Sequence, residues 1–296
     1  MTLRKEMIAV AMRSPSVLGE ATGLILEFLK SQHHDLGGMM NRAGDPDLYY
    51  SFFGLECMKI LGYKYDEDKW VNYLNQFGCG GGDDLIHLSC LARCWANLSK
   101  DRMPNGLRQS LLKQLDGFKS VDGAFNTLPK QEKGSAYGCF VAIDTYHNLN
   151  STIPNTTPVV DRILKVQTPT GAFAFDEGMP EGTTPTTAAA VIGLSTLGYP
   201  IEKLSMSREW LLMRRHPQGG LLAVPEAPMP DLLSTATALH TLSKMGENFD
   251  DWKESCLDFI DSLWVNKGGF YAHWSDDVLD VEYLFYALLA LGHLAD

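Results

Sequence analysis

Two pairs of acidic residues stand at a spacing that suits proton transfer. One residue separates Asp280 from Glu282, and one separates Asp45 from Asp47. Two carboxyls at this spacing can share a proton, and burial raises the pKa of a carboxyl that loses its contact with water. Either pair could therefore serve as a general acid.

A third group of residues has the chemistry of metal ligands. Asp84, His87 and Cys90 follow one another closely, and His87 and Cys90, three residues apart, share one face of a helix. Asp84 and His87 are therefore candidate ligands of a divalent cation. A buried histidine paired with the aspartate would explain the same spacing.

The elements that position these residues repeat along the chain. A glycine-rich turn occurs six times, with its last glycine at positions 38, 82, 123, 171, 220 and 269. Self-similarity at periods of 20 to 50 residues is typical of repeat architectures. Because six copies fill the 296 residues, we expect one domain over residues 1–296.

Each repeat contains two kinds of helix. An amphipathic helix precedes each turn, and an apolar helix follows it. A helix that is apolar nearly all round must be covered on most sides, whereas one with a polar face can coat the outside. The sequence therefore predicts an all-α fold, a closed α/α toroid (α6/α6 barrel) of six helix-pair repeats, with an open solenoid as the alternative. The inner helices are predicted at 47–61, 84–98, 136–149, 186–197, 231–245 and 280–291, and the outer helices at 23–32, 67–77, 107–118, 159–167, 206–215 and 251–265.

Four of the predicted inner helices begin with an aspartate: Asp47, Asp84, Asp231 and Asp280. Each carboxylate could simply cap its helix by accepting bonds from free backbone N–H groups. If the four meet at one rim, they would also suit a bound cation or an acid catalyst. The cofactor therefore stays open, with Mg²⁺ or Zn²⁺ as candidates.

The last two repeats carry the most specific pattern. Gly268 to Gly292 combines a Gly-Gly-Phe turn, an acidic loop, an aspartate and an aromatic-rich helix that ends at glycine, and Met229 to Ser234 begins the preceding inner helix. These stretches resemble the repeats of prenyltransferase β subunits and of squalene and terpene cyclases. The resemblance covers essentially the whole chain. It implies a toroid whose central funnel binds a prenyl diphosphate or a polyprenyl chain.

The resemblance to prenyltransferases also implies a zinc site. Its ligands in the family are an Asp, a Cys two residues later and a His that opens the last inner helix. Carried over, the Asp matches Asp231, but Leu233 takes the Cys position and Tyr283 the His position. A catalytic zinc ion needs three protein ligands. We therefore expect Asp231 to be a catalytic or metal-binding residue, but without the usual complete site.

The resemblance to cyclases implies a different chemistry. Those enzymes use Asp-x-Asp-Asp, in which the middle Asp protonates an alkene or an epoxide. Asp280 and Glu282 keep the first two acids and lack the last, as do Asp45 and Asp47. By family position Asp280 and Glu282 are the better placed pair, at the mouth of the last inner helix, and we take them as the candidate catalytic residues.

Aromatic residues are frequent on the predicted inner helices. Their faces suit isoprenoid chains and stabilise carbocations, although packing between the layers would explain any one of them. The small residues of 186–190 would leave room for a ligand. The candidate substrate-binding residues are Tyr49, Tyr50, Phe53, Tyr137, Phe140, Tyr283 and Tyr286, with His273 and Trp274 from the last rim loop.

Composition excludes several classes of partner. The net charge of −11 and the lack of a dense Lys/Arg cluster exclude a binder of nucleic acid. No apolar run is long enough for a membrane span, so we expect a protein that is not integral to a membrane. Six scattered cysteines without a secretion signal predict reduced thiols and a cytoplasmic location.

Three functions remain open at this point. The first is a transferase of the prenyltransferase β-subunit type, acting on a prenyl diphosphate or polyprenyl substrate. The second is a class II-type terpene cyclase with Asp280 and Glu282 as proton donors. The third is a non-catalytic toroid that binds an isoprenoid or another long apolar molecule. Prenyltransferases also pair with a helical subunit, so such a partner is possible here.

Overall fold

The chain folds mainly into helices. A computed structural model describes residues 2–80 and 84–295, so the predicted turn ending at Gly82 lies partly outside the described residues. Two short antiparallel ladders pair β1 (Met39–Met40) with β2 (Pro46–Asp47) and β3 (Trp264–Val265) with β4 (Gly269–Phe270). A 3-10 helix at Ile201–Leu204 precedes α11. The α-helices of this part are α1 Leu3–Ala11, α2 Pro15–Leu18, α3 Ala21–Ser31, α4 Leu48–Ile60, α5 Glu67–Asn75, α6 Leu85–Asn97, α7 Leu107–Asp116, α8 Ala136–Asn148, α9 Thr157–Lys165, α10 Thr184–Thr196, α11 Ser205–Leu212, α12 Leu232–Lys244, α13 Lys253–Ser262 and α14 Val281–Leu294.

The even-numbered helices from α4 to α14 form a closed inner ring. Each packs against the next, and α14 packs against α4. Their apolar sequences require this cover: α14 buries ten of its fourteen residues, whereas the outer helix α9 buries three of nine. The predicted closed toroid of six helix pairs is confirmed, and the ring excludes the open solenoid. No described helix is long and apolar enough to cross a bilayer.

Side-chain caps begin all six inner helices. The carboxylates of Asp47, Asp84, Asp231 and Asp280 accept backbone N–H bonds from the first turn of α4, α6, α12 and α14, and the hydroxyls of Ser135 and Thr183 do the same for α8 and α10. The helix α10 begins two residues earlier than predicted, because Thr183 caps it and Pro185 suits a first turn that needs no N–H donor.

Glycine is required in the turns because their backbone lies against the neighbouring outer helix. Gly219 has a φ of 89°, and an added Cβ would collide with the carbonyl oxygen of Ser255 in α13. Gly268 has a φ of 90°, and its Cβ would collide with the carbonyl oxygen of Leu24 in α3. The sixth turn therefore docks on the first repeat, so the outer layer closes at the same seam as the inner ring.

The helix α1 closes the end of the ring opposite the caps, a role that no sequence pattern predicts. Arg4 is buried and reaches the C-terminal ends of two inner helices. Its Nε donates to Asn148 Oδ1 at 3.0 Å and its Nη1 to Asn97 Oδ1 at 2.6 Å. Leu3 and Met7 of the same helix face the interior of the ring.

Candidate functional site

A cavity of about 360 Å³ occupies the centre of the ring. Tyr49, Tyr137 and Glu282 line it near the capped ends of the inner helices, and Leu3 and Met7 of α1 line it at the other end. Its volume falls within the usual range for small-molecule sites. The six inner helices thus surround a hollow, as the sequence predicts, rather than a core filled by side chains.

Most of the cavity wall is apolar and aromatic. Tyr49 and Phe53 of α4 are in edge contact, with ring centroids 5.1 Å apart, and Phe53 meets Tyr286 of α14 at 5.6 Å. Tyr137 and Phe140 of α8 stack at 6.5 Å on the opposite wall. All five belong to the predicted binding set and line the cavity. The space is left by the small residues of α10, which contributes Pro185, Thr186, Ala188 and Ala189.

Glu282 is a carboxyl group in this apolar wall. It lies in the first turn of α14, and the phenol of Tyr49 donates a 2.6 Å hydrogen bond to its Oε1. Burial is the largest cause that raises the pKa of Glu282 to about 7, and the negative charge of Asp280 adds to it. The bond from Tyr49 and the charge of Arg42 act in the opposite direction. The carboxyl is therefore partly protonated at neutral pH.

Asp280 does not share the cavity with Glu282. Its Oδ1 caps α14 at the N–H of Tyr283, and its Oδ2 accepts a 2.6 Å bond from Arg42 Nε. Arg42 lies in the loop between β1 and β2, and it also forms two bonds to Asp276. Asp280 therefore fastens the first repeat to the last. The alternative acid pair is not assembled as a proton-sharing site, because Asp45 is exposed and Asp47 caps α4.

Two of the predicted aromatic residues lie at this seam rather than in the cavity wall. Tyr50 follows Tyr49 by one residue, so it points about 100° away around the helix. The ring of Tyr283 packs under the Arg42 guanidinium, with 5.4 Å between the guanidinium carbon and the ring centroid. Neither residue lines the cavity, which corrects the expectation that both would do so.

The expectation for the last rim loop also needs correction. Trp274 packs on Phe259 of α13 and donates its Nε1 hydrogen to Ser262, so it belongs to the outer layer. It is 41 % exposed. His273 is half-buried, and its Nδ1 accepts a bond from the backbone of Ser275. Neither side chain lines the cavity.

Asp84 and His87 satisfy each other. Asp84 Oδ1 accepts the backbone N–H of His87, and its Oδ2 lies 2.8 Å from His87 Nδ1. Cys90 turns away from this pair and lines the cavity as a buried thiol, whose pKa is raised by burial. The predicted spacing thus places Asp84 as the cap of α6 and His87 as its side-chain partner. Among the described residues, no third His, Cys, Asp or Glu side chain completes a metal site with them.

The deep end of the cavity, near α1, carries charged groups that the sequence reading missed. Arg93 of α6 forms a double hydrogen bond with buried Glu56 of α4, at 2.8 Å from Nη2 to Oε2 and 3.2 Å from Nε to Oε1. Its guanidinium lies 4.0 Å from the ring centroid of Phe52. The Oδ2 atom of Asp144, on α8, lies 3.8 Å from Arg93 Nε. The available signal was that, histidine aside, Arg93 is the one charged residue of α6 and Asp144 the one charged residue of α8.

A comparison of the sequence with known protein families decides the affiliation of the chain. The profile described as "Prenyltransferase alpha-alpha toroid domain" matches residues 23–79, 69–222 and 189–296, which overlap and together span nearly the whole chain. The chain belongs to this family. No curated protein sequence matches the toroid significantly.

Solved structures support the same fold for the toroid at low sequence identity. A type II terpene cyclase, MstE from Scytonema, has a TM-score of 0.64 at 13 % identity and covers 94 % of this chain and 97 % of its own. A protein from Actinoplanes has a TM-score of 0.66 at 16 % identity over 93 % and 99 %. The protein geranylgeranyltransferase-I of Candida albicans, complexed with GGPP, has a TM-score of 0.59 at 17 % identity over 81 % and 82 %.

The described residues of the toroid do not fit the zinc site of the prenyltransferases. Asp231 caps α12 through a 2.7 Å bond from the N–H of Ser234, and burial raises its pKa. Leu233 lines the cavity as an apolar side chain, and Tyr283 lies under Arg42. Among residues 2–80 and 84–295, no three His, Cys, Asp or Glu side chains come together as a metal site.

Proposed function

We propose that this toroid is a cyclase that protonates an isoprenoid chain held in its central cavity, with Glu282 as the acid. The observation that carries the proposal is the position of Glu282: a carboxyl with a pKa of about 7 in the wall of an apolar, aromatic cavity. A carboxyl with that pKa still carries its proton in a large fraction of molecules at neutral pH. General acids are commonly tuned towards the working pH in this way.

The cavity supplies the binding energy for a hydrocarbon. Burying apolar surface stabilises a complex by roughly 25 cal/mol per Å², and the wall of this cavity is largely aromatic and aliphatic. The faces of Tyr137, Phe140 and Tyr286 would also stabilise a carbocation, because the negative face of an aromatic ring attracts positive charge. The site thus suits both the substrate and the charged intermediates of the same reaction.

The proton inventory of the reaction is simple. Glu282 gives its proton to one carbon of an alkene or to the oxygen of an epoxide, and the cation at the adjacent carbon is attacked by the next double bond. The cyclised cation loses a proton to water and Glu282 takes up a proton from the solvent, so an alkene substrate is isomerised without a change of formula and the acid is restored. The bond from Tyr49 stabilises the Glu282 carboxylate once the proton has left.

The charges of the cavity argue against transfer of a prenyl diphosphate. A diphosphate needs cations whose charge is not already balanced, as Arg and Lys supply at phosphate sites. Arg93 lines the cavity, but its charge is balanced by Glu56, and the charge of Arg42 at the rim is balanced by Asp276 and Asp280. A binding protein without turnover remains the second candidate, because the same apolar cavity would hold the chain.

Deuterium incorporation distinguishes the two candidates. The protein is incubated in D₂O with isoprenoid alkenes, alcohols and epoxides of increasing length, and the products are separated by gas chromatography and mass spectrometry. A cyclase yields cyclic products with one deuterium per protonation, and Glu282→Gln abolishes them. Glu20→Gln, at an exposed glutamate, is the matched control. Retention of the chain without deuterium or rings in the wild-type protein would instead establish the binding protein.

A further inference from the structure

The deep end of the cavity is polar, although the rest of the wall is apolar. Arg93 of α6, Asp144 of α8 and His240 of α12 come from three inner helices, and all three line the cavity. We call these residues the deep polar cluster. They lie two to three helical turns below the capped helix starts, whereas Glu282 lies in the first turn of α14. The two polar regions therefore face opposite ends of a bound chain.

Arg93 has a donor to offer a ligand. The bonds to Glu56 use Nε and Nη2 of the guanidinium, and Phe52 covers one of its faces. This leaves Nη1, and the side chain is 16 % exposed although it lies inside the ring. A guanidinium cannot lose its proton in a protein, so Nη1 is a permanent hydrogen-bond donor.

Asp144 has an acceptor to offer. Its Oδ2 accepts a 2.8 Å bond from Asn148 Nδ2, whose own Oδ1 accepts from Arg4. The other oxygen, Oδ1, is left for a further donor. Ionic groups buried without a ligand are often no more stabilising than apolar residues of the same size. Their position on a cavity wall is therefore better explained by a polar group that the cavity receives.

His240 adds a neutral polar atom. Its Nδ1 lies 3.0 Å from Nε2 of His293, while its own Nε2 is buried and has no hydrogen-bond partner among the described residues. Burial lowers the pKa of His240 to about 4, so the ring is uncharged at neutral pH. A buried ring nitrogen without a partner is costly.

The charges select the kind of group. The cations Arg4 and Arg93 are balanced by the anions Glu56 and Asp144, so a phosphate would add uncompensated negative charge beside Asp144. A hydroxyl group can accept from Arg93 and donate to Asp144 at the same time. We propose that the deep polar cluster binds the hydroxyl group of an isoprenoid alcohol that enters the cavity hydroxyl first. This assignment rests on the proposed function, because it takes the central cavity as the binding site of the isoprenoid chain.

Binding of three fifteen-carbon probes tests the assignment. Isothermal titration calorimetry compares farnesol, the hydrocarbon farnesene and farnesyl diphosphate on the full chain. We expect farnesol to bind on the order of tenfold more tightly than farnesene, as a hydrogen bond to charged groups allows, and the diphosphate to bind no better than farnesene. Asp144→Asn should remove most of the preference for farnesol, whereas Glu282→Gln should retain it.

A second variant guards against a change in folding. Asp144 also accepts a hydrogen bond from Asn148, so Asp144→Asn could weaken the packing of the ring. His240→Leu changes the deep polar cluster but leaves its ion pairs in place. It should lower farnesol affinity severalfold and leave farnesene affinity unchanged. Equal binding of alcohol and hydrocarbon by the wild-type protein, or loss of the preference in Glu282→Gln alone, would overturn the proposal while leaving the cyclase intact. If none of the probes binds, the apolar site itself is refuted.

Discussion

The phenol of Tyr49, on the first inner helix, donates a 2.6 Å hydrogen bond to the carboxyl of Glu282, on the last. The two residues are 233 positions apart in the chain and meet because the ring closes. The bond favours the ionised carboxyl, while burial and Asp280 favour the protonated one. The balance of these effects leaves Glu282 near the middle of its titration at neutral pH.

Removal of this bond should raise the pKa of Glu282. In Tyr49→Phe the carboxylate of Glu282 loses a hydrogen-bond donor, which makes ionisation less favourable. The pKa of Glu282 should therefore rise above its wild-type value of about 7. The ¹³C chemical shift of the Glu282 carboxyl, followed across pH, measures the change directly. Tyr50→Phe, one residue along and outside the cavity wall, should leave the titration unchanged. An unchanged or lower pKa in Tyr49→Phe would show that the bond does not govern the proton.

The same carboxyl makes the stability of the protein depend on pH. Its pKa is about 7 in the folded chain and 4.5 as the ordinary value, so the folded state binds more protons than the unfolded state between these pH values. The free energy of unfolding should therefore fall as pH rises from 4.5 to 7, by about 3 kcal/mol from this group. Denaturant unfolding at pH 5 and pH 8 measures the loss.

Glu282→Gln isolates that contribution. Glutamine does not titrate, so the variant should lose about 3 kcal/mol less than the wild-type protein between pH 5 and pH 8. The exposed control Glu20→Gln should show the wild-type dependence. Equal pH dependence in the wild-type protein and Glu282→Gln would mean that the carboxyl ionises normally in the fold.

Two glycines with left-handed backbone, Gly219 in the fifth turn and Gly246 after α12, should differ sharply in their tolerance of alanine. Gly219 and Gly246 have φ values of 89° and 82°, so alanine is strained by about 1 kcal/mol at either position. At Gly219 the new Cβ also meets the backbone of Ser255, whereas at Gly246 nothing lies within 4 Å. Thermal unfolding should show a much larger loss for Gly219→Ala than for Gly246→Ala. Similar losses would mean that the turn does not press on α13.

The small residues of α10 should set the length of chain that fits. Ala189 lines the cavity, and Ala189→Phe would fill space that the small side chain leaves open. We expect geranylgeraniol to lose on the order of tenfold or more in affinity through steric exclusion, while the shorter geraniol still binds. Calorimetric titration of both alcohols measures the difference. A uniform loss for both lengths would point to a general disturbance of the ring.

The sequence predicts the ring well, because local signals define it. Glycine turns, capping aspartates and apolar periods place every predicted helix within three residues of its observed bounds. Local signals also place Tyr49 and Tyr137, but they cannot tell Tyr49 from Tyr50, since one residue turns a side chain by about 100°.

The deep end of the cavity lay beyond the sequence for a different reason. Arg4 forms hydrogen bonds to Asn97 and Asn148, which lie 93 and 144 positions further along the chain. Arg93 forms its hydrogen bonds to Glu56, which lies 37 positions earlier. Such pairings have no local pattern. They depend on which faces of the neighbouring inner helices meet and on the docking of α1, and the helix pattern specifies neither.

The seam between the first and last repeats has a consequence for synthesis. Arg42 and Tyr49 are synthesised early, but their partners Asp276, Asp280 and Glu282 lie in the last repeat. The turn at Gly268, which packs on the backbone of α3, is also made late. A ribosome that has made five repeats has made Tyr49 but not Glu282, to which the phenol of Tyr49 donates its hydrogen bond. The nascent chain therefore exposes the apolar edge of its first repeat until the sixth repeat emerges, and the cavity is enclosed only when the first and last repeats meet.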